Sequence, residues 1–223
     1  MYKERTEQTF FSKVYFNMTW ALALTGLVAY GVSNYPPFRM AIADNVAGLF
    51  ILMLLEVVLV VVLSKRIMLM SIGAAYAGLM VFSIINGVTL SLIFLVYTLS
   101  SIVTVFAAAT GLFLVMALFG YATKKDLSSW GRFFIMAVFG LIIASVLNLI
   151  LRSEMLMYVY SFAGIFIFAG LTAYDTQYLK NIYNNTSLTP EQYDKIAIIG
   201  ALKLYLDLIN LFLSLLRIFG RRR

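Results

Sequence analysis

The sequence predicts an all-α membrane protein with about seven transmembrane helices, folded as a single integral membrane domain over residues 1–223. Two observations predict this class. Hydrophobic residues make up 62% of the chain and charged residues only 12%, whereas a soluble domain has about 25% charged residues. The hydrophobic residues also form runs of about 20, the length at which a helix crosses the hydrocarbon core of a bilayer. A chain of 223 residues holds seven such runs and no large soluble domain.

Polar segments mark where the predicted helices end. The Asn34-Tyr35-Pro36-Pro37 turn ends the first run, because proline cannot continue a helix, and Ser64-Lys65-Arg66 closes the second. In the third run, Asn86-Gly87 predicts a kink or a point of close packing. Lys124-Lys125-Asp126 ends the fourth run, and Thr189-Pro190-Glu191 is typical of a helix start. We predict spans at residues 14–33, 46–63, 68–97, 101–121, 132–151, 155–180 and 196–219.

The basic residues predict the orientation of these spans. Between the spans, one side of the membrane carries only Arg39 and Arg152, so the more basic side is predicted to be cytoplasmic, together with the N-terminal segment, residues 1–13. The basic tail, residues 220–223, does not fit, because seven spans place it outside. Either the last helix is re-entrant or the tail breaks the pattern. The residues of the basic side are Lys3, Arg5, Lys13, Lys65, Arg66, Lys124, Lys125, Arg132, Lys180 and Lys195.

The absence of two residue types excludes several kinds of functional site. The chain contains no cysteine and no histidine, which excludes disulfides, zinc sites built on these residues, Ser-His catalytic pairs and a histidine pH switch. Acid sensing near neutral pH would therefore depend on carboxylates. The net charge of +7 does not indicate nucleic-acid binding, because most Lys and Arg residues lie in short gaps between apolar runs. No cofactor is predicted.

The predicted last helix, Ile196–Phe219, is the helix around which we expect the others to be arranged. It is long enough to span a bilayer, yet it carries Lys203 and Asp207 near its middle, four residues apart and so on one face. A charged side chain at membrane depth costs at least about 2.5–3.5 kcal/mol. This helix should therefore lie inside a bundle of the other helices, with its charged face turned toward partners or water.

Asp175, late in the sixth span, and Asp207 in the seventh form the candidate functional pair. Consecutive spans run antiparallel, so the two carboxylates can meet at a similar depth. Two carboxylates in contact share a proton or bind a hard cation such as Ca²⁺. The alternative is purely structural: an ion pair between Lys203 and Asp207, with Asp175 held by Tyr178 or Asn181.

Two charged residues of the second span have both a structural and a functional interpretation. Glu56 is expected either to pair with Lys203 or a tyrosine of another helix, or to lie on a permeation path. Arg66 is most simply a basic anchor at the membrane interface.

An intramembrane aspartyl protease is the enzyme class that two such aspartates suggest. Tyr174-Asp175 matches the YD half of that site. A GxGD sequence should then follow on the next helix, whereas Asp207 stands in Tyr205-Leu206-Asp207-Leu208. We therefore predict that the protein is not an enzyme.

Four segments of the chain carry a family resemblance. Two of them are Ala173-Tyr174-Asp175-Thr176-Gln177 and the stretch ALKLYLDLINLF at residues 201–212, which is followed by Leu215-Leu216-Arg217. The others are Asn86-Gly87-Val88-Thr89-Leu90-Ser91 and Leu63-Ser64-Lys65-Arg66-Ile67. These segments resemble the Bax inhibitor-1 family, the transmembrane BAX inhibitor motif proteins, and the resemblance covers nearly the whole chain.

The resemblance implies six helices surrounding a central seventh, and a pH-sensitive calcium leak channel in which calcium is the transported ion. Two aspartates of the last two helices form the pH sensor and cation site in this pattern, and they match Asp175 and Asp207. An arginine of the second helix, matched best by Arg66, contacts the pair in the closed state. Glu56 matches an acidic residue of that helix by position only. The chain lacks the long basic tail of eukaryotic relatives in the endoplasmic reticulum, so we expect a bacterial inner membrane protein.

Two other functions stay open. A regulatory membrane protein that conducts no ion would act by binding a membrane protein partner, such as a protease, through residues 1–13 and the arginine tail. A proton-coupled transporter would show saturable, substrate-dependent uptake. The expected partners are the lipid bilayer, calcium ions and protons, with no nucleic acid.

Overall fold

The computed structural model describes residues 6–35, 37 and 45–223, and most of these residues lie in seven long helices. A 3₁₀ turn, Ile67–Leu69, follows the second helix, and a single helical turn, Ile93–Val96, follows the third. The predicted all-α fold class is confirmed. The helices are α1 (Glu7–Ser33), α2 (Val46–Arg66), α3 (Ile72–Leu90), α4 (Leu99–Ala122), α5 (Ser128–Leu151), α6 (Glu154–Asn185) and α7 (Pro190–Phe219).

Within the described part of the chain, six segments, based on helices α2 to α7, are long and apolar enough to cross a membrane. Helix α1 has the length of a span, with 27 residues, but it carries Lys13, Asn17 and Thr25 among its apolar side chains and is not in this set. The predicted first span is therefore a helix, and its crossing of the membrane stays a prediction. The predicted cytoplasmic segment, residues 1–13, overlaps α1 from Glu7 onward, while Lys3, Arg5 and Arg39 lie outside the described residues.

Several helix ends differ from the predicted bounds: α1 begins at Glu7 and not at 14, α6 ends at Asn185 and not at 180, and two more ends differ as follows. The third span, predicted as one helix over residues 68–97, ends at Leu90 and is followed by a separate helical turn. The last helix begins at Pro190 instead of Ile196, because Thr189 and Gln192 form a reciprocal cap. The Gln192 N–H donates to Thr189 Oγ1 at 3.3 Å, and the Thr189 N–H donates to Gln192 Oε1 at 3.0 Å. These bonds satisfy amides that a helix start otherwise leaves open.

The chain divides into two compact units. The first unit contains α1, α2, α3 and the part of α7 up to Tyr205, and the second contains α4, α5, α6 and the part of α7 from Leu206. In the first unit, α3 packs against both α1 and α2. At Asn86-Gly87 the sequence predicted a kink or close packing, and the close packing is confirmed. A Cβ on Gly87 would lie 2.8 Å from the carbonyl oxygen of Thr25 on α1.

Close packing in the second unit depends on small residues at the helix contacts. Helix α6 packs against α4 and α5. A Cβ on Gly120 of α4 would overlap the backbone of Ala173 on α6, and a Cβ on Gly131 of α5 would overlap the ring of Tyr174. Helices inside a membrane gain little from the hydrophobic effect, so this close backbone approach supplies the packing energy.

Helix α7 is by far the most buried of the apolar helices. Of its most apolar window, 72% of the residues are buried, compared with 6% for α2 and 0% for α5. Side chains on every side of α7 are buried, among them Leu204, Tyr205 and Leu211, which have no exposed surface. The prediction that the last helix lies inside the protein and not against lipid is confirmed.

The arginine tail lies at the end of the second unit where α4 begins. The Thr98 N–H donates to the Arg221 carbonyl at 3.1 Å, and the Arg221 N–H donates to Ser101 Oγ at 2.8 Å. Helix α4 runs from there to the loop that contains Lys124 and Lys125, so the tail and this basic loop are at opposite ends of the unit. Helix α7 is one unbroken helix to Phe219, and the side of the membrane on which the tail lies stays a prediction, as does the crossing of α1.

Replacing Gly120 by alanine is expected to lower the stability by about 1–3 kcal/mol, because the Ala173 backbone cannot move away from the added methyl group. The matched control is Gly111→Ala on the same helix, where a Cβ meets nothing within 4 Å. Thermal denaturation in detergent measures both. Equal unfolding temperatures for the two variants would contradict the claim that close packing of α4 on α6 stabilises the protein.

Candidate functional site

Asp175 lies near the end of α6 in a segment that is buried almost continuously. Its side chain is 6% exposed, and Ala173 and Thr176 beside it are 2% and 0% exposed. The Thr176 hydroxyl donates to the Thr172 carbonyl of the preceding turn at 2.8 Å, so the hydroxyl is satisfied within its own helix. Ala173 meets α4 at Gly120 and Tyr174 meets α5 at Gly131. The predicted site residue is thus held in the most tightly packed part of the second unit.

Gln177 ties this end of α6 to the loop between α4 and α5. Its side-chain amide donates to the Lys125 carbonyl at 2.8 Å, and its amide oxygen accepts the Leu127 N–H at 2.9 Å. One turn further, the Lys180 ammonium donates to the Tyr121 carbonyl at 2.9 Å. Sequence reasoning had not assigned a role to Gln177. Its position two residues after Asp175, within the segment that resembles a known family, was the only signal available.

Asp207 lies on α7 and is 5% exposed. A contact elsewhere in the second unit sets the register between α6 and α7: a Cβ on Gly164 of α6 would lie 2.6 Å from Ser214 Oγ of α7. Asp175 follows Gly164 by eleven residues and Asp207 precedes Ser214 by seven. These offsets are close to three and two full turns at about 3.6 residues per turn. Each aspartate is thus about a whole number of turns from this contact, on the side of its helix that the contact marks.

The same register gives their relative depth. The two helices are antiparallel, so both aspartates lie on the same side of the Gly164–Ser214 contact along the helix axes. Their separations from that contact, eleven and seven residues, differ by four residues, about 6 Å. Side chains of a helix tilt toward its N-terminus. In antiparallel helices, the carboxylates of Asp175 and Asp207 therefore lean toward each other, which reduces the offset between them.

Asp207 is followed by a polar stripe on the same face of α7. Asn210, Ser214 and Arg217 succeed it at intervals of three or four residues, and all three line a cavity of about 220 Å³ in the second unit, together with Tyr160 of α6. The Arg217 guanidinium carbon lies 5.7 Å from the centre of the Tyr160 ring, within the range of a cation–π contact. A cavity with polar walls and this volume has room for water molecules.

Glu56 belongs to a separate polar network, in the first unit. Its carboxylate accepts the Thr89 hydroxyl at 2.8 Å and the Asn86 amide at 3.2 Å, both from α3. The Asn86 amide oxygen accepts the hydroxyl of Tyr205 on α7 at 2.8 Å, and that hydroxyl lies 2.8 Å from Thr25 Oγ1 on α1. Four helices are joined in this way at membrane depth.

The number of hydrogen-bonding protons on each side chain shows which group donates at each step of this network. The carboxylate accepts, so Asn86 turns its NH₂ group to Glu56 and its oxygen to Tyr205. The Tyr205 hydroxyl has one proton, which it donates to Asn86. Tyr205 has no second proton to give, so its contact with Thr25 is a hydrogen bond only if Thr25 donates. The single hydroxyl proton of Thr25 also points to the Ser83 carbonyl, 2.9 Å away. From Tyr205 onward the donors therefore run in order, from α7 through Asn86 on α3 to Glu56 on α2.

The remaining predicted residues are placed as follows. One alternative predicted that Glu56 pairs with a tyrosine of another helix. Glu56 is linked to Tyr205 in this way, but through Asn86 and not by a direct bond. Arg66 is the last residue of α2 and is exposed, while Lys203 is half-buried on α7. In the described residues, no three Asp, Glu, Cys or His side chains are grouped closely enough to hold a metal ion. Tyr205 and Thr25 were missed by sequence reasoning, because an aromatic or a threonine in an apolar run has no local signal of a partner on another helix.

Comparison with known proteins gives a consistent set of relatives. The sequence model of the family described as "Inhibitor of apoptosis-promoting Bax1" matches residues 7–223. The chain is 44% identical to the Inner membrane protein YbhL of Escherichia coli (strain K12), over 97% of this chain and 93% of that protein. It is also 41% identical to an uncharacterized protein of Deinococcus radiodurans, over 96% and 91% of the two chains, and 38% identical to one of Borreliella burgdorferi, over 96% and 92%.

Replacing Tyr205 by phenylalanine is expected to cost about 1–3 kcal/mol of stability, because the buried Asn86 oxygen loses its donor. The control is Tyr158→Phe, since Tyr158 is 49% exposed on α6. Thermal denaturation in detergent measures both variants. The loss of stability caused by Asn86→Leu should be smaller in the Tyr205→Phe variant than in the unmodified protein. Additive effects of the two substitutions would contradict the network.

Proposed function

The chain belongs to the Bax inhibitor-1 family, as the sequence resemblance indicated, and we propose that it is a pH-sensitive calcium leak channel in which Asp175 and Asp207 are the proton sensor. The observation that carries the proposal is the register of α6 and α7. Both aspartates are almost fully buried, and they lie on the sides of α6 and α7 that the Gly164–Ser214 contact marks, about one turn apart with side chains inclined toward each other.

A buried pair of carboxylates suits a pH sensor. Two ionised carboxylates at close range repel each other strongly where water is scarce, so the pair takes up one proton more readily than an isolated carboxylate does. Loss or gain of that proton changes the charge between α6 and α7 by one unit. The balance between a closed and an open packing of the helices then shifts with pH, by about 1.4 kcal/mol for each pKa unit by which the two packings differ.

The ion path in this proposal follows α7 away from the pair. Asn210, Ser214 and Arg217 continue the stripe from Asp207 and line the polar cavity of the second unit. Two carboxylates supply at most four oxygen atoms, whereas Ca²⁺ takes about six to eight oxygen ligands. A calcium ion at the pair would therefore keep part of its water shell, which favours passage over tight binding.

Three other charged residues take roles in this proposal. Arg66 is the partner that the resemblance implies for the closed state, and its exposed position also suits an interfacial anchor. Glu56 is held by Asn86 and Thr89 in the separate network of the first unit, and its role on a permeation path stays a prediction. Lys203, one turn before Asp207 on α7, offers an ion pair to the sensor when the latter is ionised.

We place the protein in a bacterial inner membrane, with its N-terminus in the cytoplasm. The name of the E. coli relative supports the first part. The second rests on the charges of the connections: Lys65, Lys124 and Lys125 are on the side that the positive-inside pattern assigns to the cytoplasm.

Replacing Asp175 or Asp207 by asparagine is expected to remove the pH dependence of calcium flux between pH 5 and pH 8. Asparagine resembles a protonated carboxyl group, so each variant should show, across the whole range, a flux close to that of the unmodified protein at pH 5. The ratio of flux at pH 5 to flux at pH 8 should then be about 1. Proteoliposomes loaded with a calcium indicator measure it.

The control for this experiment is Asp126→Asn, in the loop before α5. The Ser128 hydroxyl and then its backbone N–H, at 2.9 Å, donate to the Asp126 carboxylate and hold the pKa of Asp126 below its usual value. This group stays ionised above pH 5 and adds no titration of its own. An unaltered pH profile for Asp207→Asn overturns the sensor assignment. A protein that conducts no ion at any pH favours the regulatory alternative, and saturable uptake of a substrate favours the transporter.

Replacing Arg66 by glutamine is expected to raise calcium flux about tenfold at the pH where the unmodified channel is closed, because a closing contact worth about 1.4 kcal/mol is lost. Lys65→Gln is the matched control, since it removes the same charge from the adjacent residue. Proteoliposome flux measures both. If the two variants behave alike, Arg66 is an interfacial anchor and not a closing partner.

A further inference from the structure

We propose that the second unit binds one anionic phospholipid, in the groove between the start of α4 and the end of α7. The calcium pathway does not use this groove. It has a volume of about 420 Å³, and its walls come from α4, α7 and the arginine tail. Its polar end is formed by Thr98, Ser100, Ser101, Thr104 and Arg221, and its apolar end by Val105, Ala108, Leu215 and Phe219.

The order of these side chains along α4 matches the profile of one leaflet. The hydroxyl residues occupy the first turns, at 98 to 104, and the apolar residues follow at 105 and 108. Ten residues of helix extend about 15 Å, which is half of the roughly 30 Å hydrocarbon core. A headgroup at Thr98 would therefore place an acyl chain beside Val105, Ala108 and the exposed Phe219.

Arg221 supplies the charge that selects an anionic headgroup. Its backbone is fixed on both sides, by the bond from its N–H to Ser101 Oγ and by the bond from the Thr98 N–H to its carbonyl. With its backbone anchored at the groove, the Arg221 guanidinium can bind a phosphate through two parallel N–H donors. The start of α4 adds the positive end of the helix dipole. Of the described side chains that line the groove, none is acidic.

A lipid fits this groove better than a soluble anion does. Phe219 on its wall is 67% exposed, and Val103 and Leu99 on the same end of α4 are 59% and 46% exposed. In a membrane protein such apolar surface lies against acyl chains. A docked lipid phosphate would also offset part of the positive charge of the arginine tail.

Native mass spectrometry of the full chain, with phosphatidylglycerol or phosphatidylcholine added in detergent, tests the proposal. We expect one phosphatidylglycerol to be retained, and at least about fivefold less retention after Arg221→Gln. Ala108→Phe fills the apolar end and leaves the charge in place, and it should reduce retention similarly. Arg152→Gln is the control, because Arg152 is exposed in the α5–α6 loop at the same end of the unit.

Three results would overturn the proposal. They are equal retention of the two lipids, equal loss with Arg221→Gln and Arg152→Gln, and displacement of the lipid by glycerol phosphate at the same concentration. Thermal denaturation checks that the variants are folded. Because Ala108 is exposed, its variant keeps the test valid if Arg221→Gln does not fold.

Discussion

A polar side chain inside a bilayer has no water to bind, and this constraint governs the interior of the protein. Each unit meets it differently. In the first unit, one chain of hydrogen bonds joins Thr25, Tyr205 and Asn86 to the carboxylate of Glu56. In the second, Asp175 and Asp207 are almost fully buried, and polar residues that follow Asp207 on α7 line a cavity. The burial of α7 follows, because this helix contributes to both arrangements.

Backbone contact gives the second unit the rigidity that a paired site needs. Ala173 lies against Gly120, Tyr174 against Gly131, and Gln177 holds the loop that connects their helices. Asp175 is between these contacts, so its position is set by three neighbours along the chain. This accounts physically for Ala173, Tyr174 and Gln177 in the Ala173-Tyr174-Asp175-Thr176-Gln177 segment, since each of the three contacts or bonds another part of the unit.

The sequence errors have local physical causes. Hydropathy does not distinguish one long helix from a helix followed by a separate turn, so the end of α3 at Leu90 was not foreseen. The helix start at Thr189-Pro190-Glu191 was predicted and is confirmed, but the span was begun only at Ile196 because the residues between are polar; Lys13 pairs with Asp194 at 2.7 Å and Lys195 donates to the Met68 carbonyl at 3.0 Å. Tertiary partners made those polar residues helical.

The amino-acid sequence alone determined the fold class, the approximate helices, the family and the aspartates as candidates, because runs of apolar residues and isolated charges are local properties. Only the tertiary structure decided which faces meet. The contact of Gly164 with Ser214, the bond from Tyr205 to Asn86 and the docking of Arg221 on α4 join residues 50, 119 and about 120 positions apart. No local pattern specifies such pairs, since they depend on how whole helices rotate and slide until their polar groups are satisfied.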